Sequence, residues 1–201
     1  DRESIGFERA GILRCNGISV VGDKSPPQSV LNYAEKIGTQ LYVRGQAFKL
    51  IEQTNGWDWQ FNELLLSGLN KPFIPQDNVA TALSVLALLG TELSNDKVNQ
   101  LIAKTKVAGR TEMFQFDCDV MLDVGHNPQA TGYLAEQIKL GRYKHVYAVV
   151  GMLKDKDITN SLLAMMNVVT QWYFGDLAMP RGATAKDILE HLPEPHASFN
   201  C

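Results

Sequence analysis

Apolar and polar residues follow two periods along this chain, and the changes of period divide it into regions. Ser4 to Gly11 reads as a short helix whose end is marked by Gly11. Ile18-Ser19-Val20-Val21 reads as a strand. Gln28 to Ile37 reads as a helix through Val30, Leu31, Ala34 and Ile37, and Gly38 stops it. From Gln40 to Ser67 the period shortens to two. Leu41-Tyr42-Val43 is one strand, Phe48 to Gln53 and Trp57 to Phe61 flank Asn55-Gly56, and Leu64-Leu65-Leu66 adds another. Asn-Gly suits a tight hairpin turn in which both residues take positive φ. Trp57, Trp59 and Phe61 alternate with Asp58 and Gln60, so one face is buried, as core rather than as a ligand platform.

The helical period then returns. Pro72-Phe73-Ile74-Pro75-Gln76 is a rigid approach, and Asp77-Asn78 precedes an apolar helix from Val79 to Leu89 that ends at Gly90. Ser94 caps a further helix with Val98, Leu101 and Ile102 on one face. Val107-Ala108-Gly109-Arg110-Thr111 reads as a junction, giving domains 1–107 and 108–201. Beyond it strands and helices alternate: strands at 120–122, 146–150 and 171–174, with helices at 128–140, 158–169 and 184–192. In the first of these helices Ala130, Tyr133, Leu134 and Ile138 face inward; Asp157 starts the second, and Thr184 with Asp187 forms a capping box at the third. Such alternation argues for an α/β fold with parallel strands and right-handed crossovers.

Composition narrows the function classes. The chain has 201 residues, 45% hydrophobic and 20% charged, enough for a normal core in one or two domains. A net charge of -3 leaves no electrostatic footprint for nucleic acid or an anionic membrane. No apolar run approaches a membrane span, and no secretory signal is visible. The start at Asp1-Arg2-Glu3 hints at a fragment or a processed chain. Cys15, Cys118 and Cys201 are too scattered for a disulfide framework or a zinc site, in keeping with a reducing cytoplasm. His191, His196 and Cys201 match no metal template, so no metal-ligating residues are expected.

The candidate chemistry lies at the ends of strands. Val120-Met121-Leu122 delivers Asp123 and His126 to its carboxyl end, where Asn127 suits a helix N-cap and Pro128 its first turn. Ligands of α/β sheets bind along that edge, although Asp123 can equally serve as a cap and His126 as a loop residue. The loop 151–157, with Lys154, Asp155, Lys156 and Asp157, follows the next strand and suits a polar cleft. Asn78, at a helix start, can favour an anion or simply cap. Arg110, at the junction, can hold phosphate or be an ordinary surface cation. Gly17 to Ser25 imitates a phosphate loop, but Asp23 intervenes before Lys24 and Pro26 blocks the helix such a loop must open.

Taken in order, several motifs resemble the bacterial folylpolyglutamate synthase/dihydrofolate synthase family of the Mur ligase superfamily. They are Asp1-Arg2-Glu3-Ser4-Ile5-Gly6 with Glu8-Arg9-Ala10-Gly11-Ile12, Pro75-Gln76-Asp77-Asn78 with Ala80-Thr81-Ala82-Leu83, Gly109-Arg110, 122–128 (Leu-Asp-Val-Gly-His-Asn-Pro), 151–157 (Gly-Met-Leu-Lys-Asp-Lys-Asp) and 180–184 (Pro-Arg-Gly-Ala-Thr). The resemblance implies the remainder of a mixed α/β central ATPase domain over 1–107 and a Rossmann-like ligase domain with parallel strands over 108–201. It implies an ATP- and Mg2+-dependent ligase that phosphorylates a carboxylate and couples it to L-glutamate. The acceptor is dihydropteroate or a folate already carrying glutamate. Asn78, Arg110 and Asp123 would contact ATP, with His126 in the cleft as a catalytic candidate. Asp123 cannot usefully face phosphate without a metal, so it would orient a ribose hydroxyl or a base, while Arg110 stabilises charge.

Four departures accompany this resemblance. The family's glycine-rich phosphate loop and metal-binding residues would precede residue 1, and the chain would stop before the last strands of its second domain. The chain alone is therefore expected to be inactive. Arg9 stands where a modifiable lysine is usual, and Val107-Ala108 where a proline is usual. Two other readings stay open: another Mur-type amino-acid ligase, or a non-catalytic module that keeps the fold. A monomer in the cytoplasm acting on small molecules completes the expectation.

Overall fold

The computed structural model describes residues 1–192 and divides the chain into two compact units, Asp1–Val107 and Ala108–Cys201. In the first unit, α1 (Arg2–Ala10) is capped by Asp1, whose side chain accepts the Ser4 N–H. Strand β1 (Ile18–Val21), helix α2 (Gln28–Lys36) and strand β2 (Gln40–Val43) follow as a βαβ unit, with β1 and β2 parallel. Helix α2 starts after Pro27, which offers no capping side chain. Glu3 of α1 supplies the missing acceptor: its two carboxylate oxygens take the N–H groups of Gln28 (3.0 Å) and Ser29 (2.8 Å). Those bonds, that to Ser29 foremost, hold the Glu3 carboxyl below its ordinary range.

Strands β3 (Phe48–Gln53), β4 (Gly56–Phe61) and β5 (Leu64–Leu69) form an antiparallel meander. The hairpin between β3 and β4 departs from the expected turn. Only Gly56 takes positive φ (109°), and Asn55 does not, so Gly56 pairs with Gln53 as the first residue of β4. A Cβ on Gly56 would sit against the Leu69 carbonyl of β5, so the position demands glycine for space as well. The meander packs on α3 (Gln76–Leu88) and α4 (Asn95–Lys104). Trp57, Trp59, Phe48 and Leu69 are fully buried there with Ala80, Leu83, Val98 and Ile102. Leu101, expected on the inner face of α4, is instead exposed, because its neighbours Val98 and Ile102 alone reach the core.

The second unit opens with β6 (Glu112–Gln115), a strand too short to show a period in the sequence. It pairs antiparallel with β7 (Asp119–Leu122) across a turn in which Phe116 N–H reaches the Cys118 carbonyl. Helix α5 (Pro128–Gly141) follows, capped by Asn127, with Thr131 and Ala135 buried. Strands β8 (Tyr147–Val150) and β9 (Gln171–Phe174) are parallel, joined through α6 (Ile158–Leu163). That helix is shorter than its apolar period: beyond Leu163 the chain tightens into turns, with Met165 and Val168 bonding three residues back. Parallel pairing thus joins β8 to β9, while β7 pairs with β6. The core gathers Ala135, Met152, Ile158, Leu162, Trp172 and Ile188. The last described helix, α7 (Ala185–Leu189), carries the expected capping box between Thr184 and Asp187. Of the His/Cys group near the end, His191 bonds Thr159 (2.7 Å), while His196 and Cys201 lie outside the described residues. No described helix is long and apolar enough to cross a membrane.

The capping box yields a pH test. The Thr184 N–H, then Lys154, hold the Asp187 carboxyl at about 2, against an ordinary 3.8. A carboxyl depressed in the folded state adds stability above its unfolded value and loses it as pH falls toward the folded one. Asp187→Ala should therefore lower the urea midpoint at pH 6, with the gap to the parent narrowing below about pH 4. A gap constant from pH 6 to pH 3 would show that the charge on Asp187 plays no part.

Candidate functional site

The carboxyl end of β7 is built from two turns tied back to back. In the second unit Gly109 takes φ +66° and Thr111 φ +43°, a left-handed pair with Arg110 between them. Such a conformation is strained for a β-branched residue like Thr111 and needs outside support. Asp123 supplies it. One carboxylate oxygen accepts the Thr111 N–H (2.8 Å) and the other the Gly125 N–H (2.6 Å). The Val124 N–H donates to the Gly109 carbonyl (2.8 Å), and Glu112 accepts the Gly109 N–H (2.8 Å). A Cβ on Gly109 would meet Val124, and one on Gly125 would meet Asp123, so both turns require glycine for their close approach.

Arg110 and His126 stand exposed on this frame. Among the described residues Arg110 makes no ion pair. The His126 Nδ1 lies 3.0 Å from the Val124 carbonyl. A carbonyl only accepts, so Nδ1 carries a proton and donates it to this bond, an assignment made from the bond itself. Asn127 accepts the Ala130 N–H (2.9 Å) and starts α5. Tyr133 on that helix is half-buried; burial, then the Asp123 charge, pushes its hydroxyl up. Thus Arg110, Asp123 and His126 come together. Glu112 and the left-handed Thr111 are parts of the frame that sequence reasoning missed, since neither follows from a period or a motif.

The other strand ends of this unit are cross-linked. Lys154 pairs with Asp187 (3.1 Å), and Arg181 with Asp155 (3.2 Å). The Lys154 N–H also meets the Arg181 carbonyl (2.9 Å). The charges expected to line a cleft here are thus engaged with one another. A shallow cavity of about 320 Å³ lies away from this edge, between the end of α5 and the start of β8, lined by Lys139, Arg142 and Lys144 among others.

Asn78 belongs to the first unit. Helix α3 starts at Gln76, three residues earlier than the expected Val79, because Pro75 already takes the cap position. Asn78 therefore stands in the first helical turn, exposed, with its own N–H bonded to the Pro75 carbonyl (2.9 Å). Its side chain is not a cap. Arg9 lies in the exposed last turn of α1, where a cation complements the helix dipole. Among the described residues no group of three His, Cys, Asp or Glu side chains gathers to hold a metal ion.

Known proteins resemble this chain in sequence and fold. Residues 109–200 match the family described as Mur ligase, glutamate ligase domain. The dihydrofolate synthase/folylpolyglutamate synthase of Escherichia coli (strain K12) is 40% identical over 195 residues, covering 96% of this chain and 46% of that protein. A crystal structure of bifunctional folylpolyglutamate synthase/dihydrofolate synthase with Mn, AMPPNP and L-glutamate bound is 41% identical, with a TM-score of 0.88 over 96% of this chain and 47% of the other. E. coli FolC in complex with DHPP and ADP is 39% identical, with a TM-score of 0.87 over 96% and 47%. The chain spans about half the length of the curated relatives it matches. Over the span it covers, the chain is similar in sequence and fold to these dihydrofolate synthase/folylpolyglutamate synthases, and its residues 109–200 carry the Mur ligase, glutamate ligase domain.

Proposed function

We propose that this chain works as part of an ATP-dependent C–N ligase that adds L-glutamate to dihydropteroate, to the glutamate tail of folates, or to both. The observation that carries this reading is the 41% identity and common fold with a synthase that binds AMPPNP and L-glutamate. In this reading the first unit is the latter part of a central ATPase domain and the second is the ligase domain. ATP would phosphorylate the acceptor's carboxylate. The amine of glutamate would then attack the acyl carbon, forming the C–N bond as the C–O bond to phosphate breaks and phosphate leaves with its electron pair. Mg2+ would be held outside this chain's described residues.

The chain's own residues have roles that fit. Asn78 offers an amide from a helix start to the base or ribose. Arg110 offers a guanidinium to the phosphates and is strongest there because it is charged in every state. Asp123 holds the Arg110 turn through two amides and keeps lone pairs for a ribose hydroxyl. His126, with Nδ1 bound to the Val124 carbonyl, turns a basic Nε2 outward to take the proton that the attacking amine must lose.

In a full-length ligase carrying this chain, Arg110→Ala should reduce kcat/KM for ATP by about 1.5–3 kcal/mol, the range for hydrogen bonds to charged groups. Steady-state kinetics read this directly, and unchanged ATP kinetics would make Arg110 an ordinary surface cation. Asp123→Asn sets an NH2 group against a backbone N–H. It should destabilise the fold by about 1–3 kcal/mol and weaken ATP use along with it; a normal melt with normal kinetics would remove Asp123 from the frame. On this reading the phosphate loop lies outside the 201-residue chain, which by itself should bind ATP weakly. Calorimetry giving micromolar affinity for the isolated chain would sink that expectation.

A further inference from the structure

The first unit contains a buried cation that the reading above leaves without a task. Arg44 follows β2, and its backbone N–H donates to the Val21 carbonyl at the end of β1 (2.9 Å). Its side chain is only 13% exposed, and its guanidinium pairs with Asp77 in the first turn of α3. Its Nε is buried without a hydrogen-bond partner. Removing an arginine from water to this extent is unfavourable unless its partner is well placed, and such pairs are poor evidence of stability alone. They are better suited to fixing one arrangement among several.

What is fixed here is the start of α3. That helix begins after Pro75, and no side chain accepts its first N–H groups. Two contacts hold the turn instead. One is the Arg44–Asp77 pair. The other is a close approach by the loop after β1: a Cβ on Gly22 would lie 2.6 Å from the Thr81 Oγ1, and that hydroxyl donates to the Asp77 carbonyl (2.7 Å). The loop is itself pinned, since Asp23 pairs with Arg2 (2.6 Å), which also donates to the Ser25 carbonyl (2.6 Å). Asn78 is the next residue after Asp77 and is exposed on this turn.

We propose that Arg44 is a positioning residue for the nucleotide: through its ion pair with Asp77 it sets the first turn of α3 and so the place of the Asn78 amide. The proposal rests on the reading of Asn78 as an ATP contact. It concerns nucleotide binding rather than chemistry on glutamate. An arginine with a merely structural role would change the melting temperature and all kinetic constants together.

The test uses a full-length ligase carrying this chain. Arg44→Met keeps the apolar stem and removes the charge. It should lower kcat/KM for ATP by about ten- to a hundredfold, the effect of a small misplacement of a binding group, through KM for ATP, with KM for L-glutamate little changed. Arg44→Lys should restore part of the loss, because it keeps a point charge but not the fork. In an Asn78→Ala background, Arg44→Met should add no further rise in KM for ATP. Asp77→Asn, at a half-exposed position, reads the same link should Arg44→Met fail to fold. Independent, multiplying effects of the Arg44 and Asn78 variants overturn the proposal. A raised KM in Asn78→Ala, with none in Arg44→Met or Asp77→Asn, overturns it alone. An unchanged KM for ATP in Asn78→Ala overturns the reading of Asn78 and this proposal with it.

Discussion

The first unit depends on one buried indole. Trp59, at the centre of the three-stranded meander, is fully buried, and its Nε1–H donates to the Ala80 carbonyl (3.1 Å) and the Ser84 hydroxyl (3.3 Å) of α3. Burial of so large a ring supplies much of the packing, but burial has no direction. The indole N–H does. It must find an acceptor once removed from water, and the acceptors lie on one face of α3. The Ser84 hydroxyl also donates to the Ala80 carbonyl (2.9 Å), so the three groups close on one another. The sheet is therefore locked to a particular stretch of the helix, and the exposed start of that helix inherits its place.

The second unit solves a related problem with a carboxylate in place of an indole. Strand β7 is short and carries little buried surface of its own. Its carboxyl end is held by Asp123, which satisfies amides from the turns on both sides. A loop with two left-handed residues would otherwise sample many conformations, and a guanidinium on such a loop would lose much of its binding to entropy. The acid converts that loop into a fixed platform. In the proposed function the same acid would be both the support of the site and part of it.

Much of this was legible in the sequence. The alternation of Trp57, Trp59 and Phe61 announced a half-buried strand, and Asn127-Pro128 announced a helix start. Both are local signals with one physical cause each. The motif order, rather than any period, pointed to the ligase family. What stayed hidden was set either by local turns that carry no period or by contacts between distant residues. The early start of α3 followed from Pro75 taking the cap, and the short α6 from turns that bond three residues back. Strand β6 has too few residues to show a pattern, and the Arg44–Asp77 pair spans more than thirty positions. Asn78, Arg110, Asp123 and His126 could be picked out singly, but the Thr111 conformation that joins two of them could not.

The cap that α1 lends to α2 has a bearing on how the chain moves. The first amides of α2 have their acceptor on another helix, because Pro27 offers none. Gly6 allows the close contact, since a Cβ there would strike the Pro27 ring. If α1 lifts away, α2 loses its end group and its neighbour at once. The stability of α2 is therefore tied to the docking of α1, and α1 is a structural part of the βαβ layer.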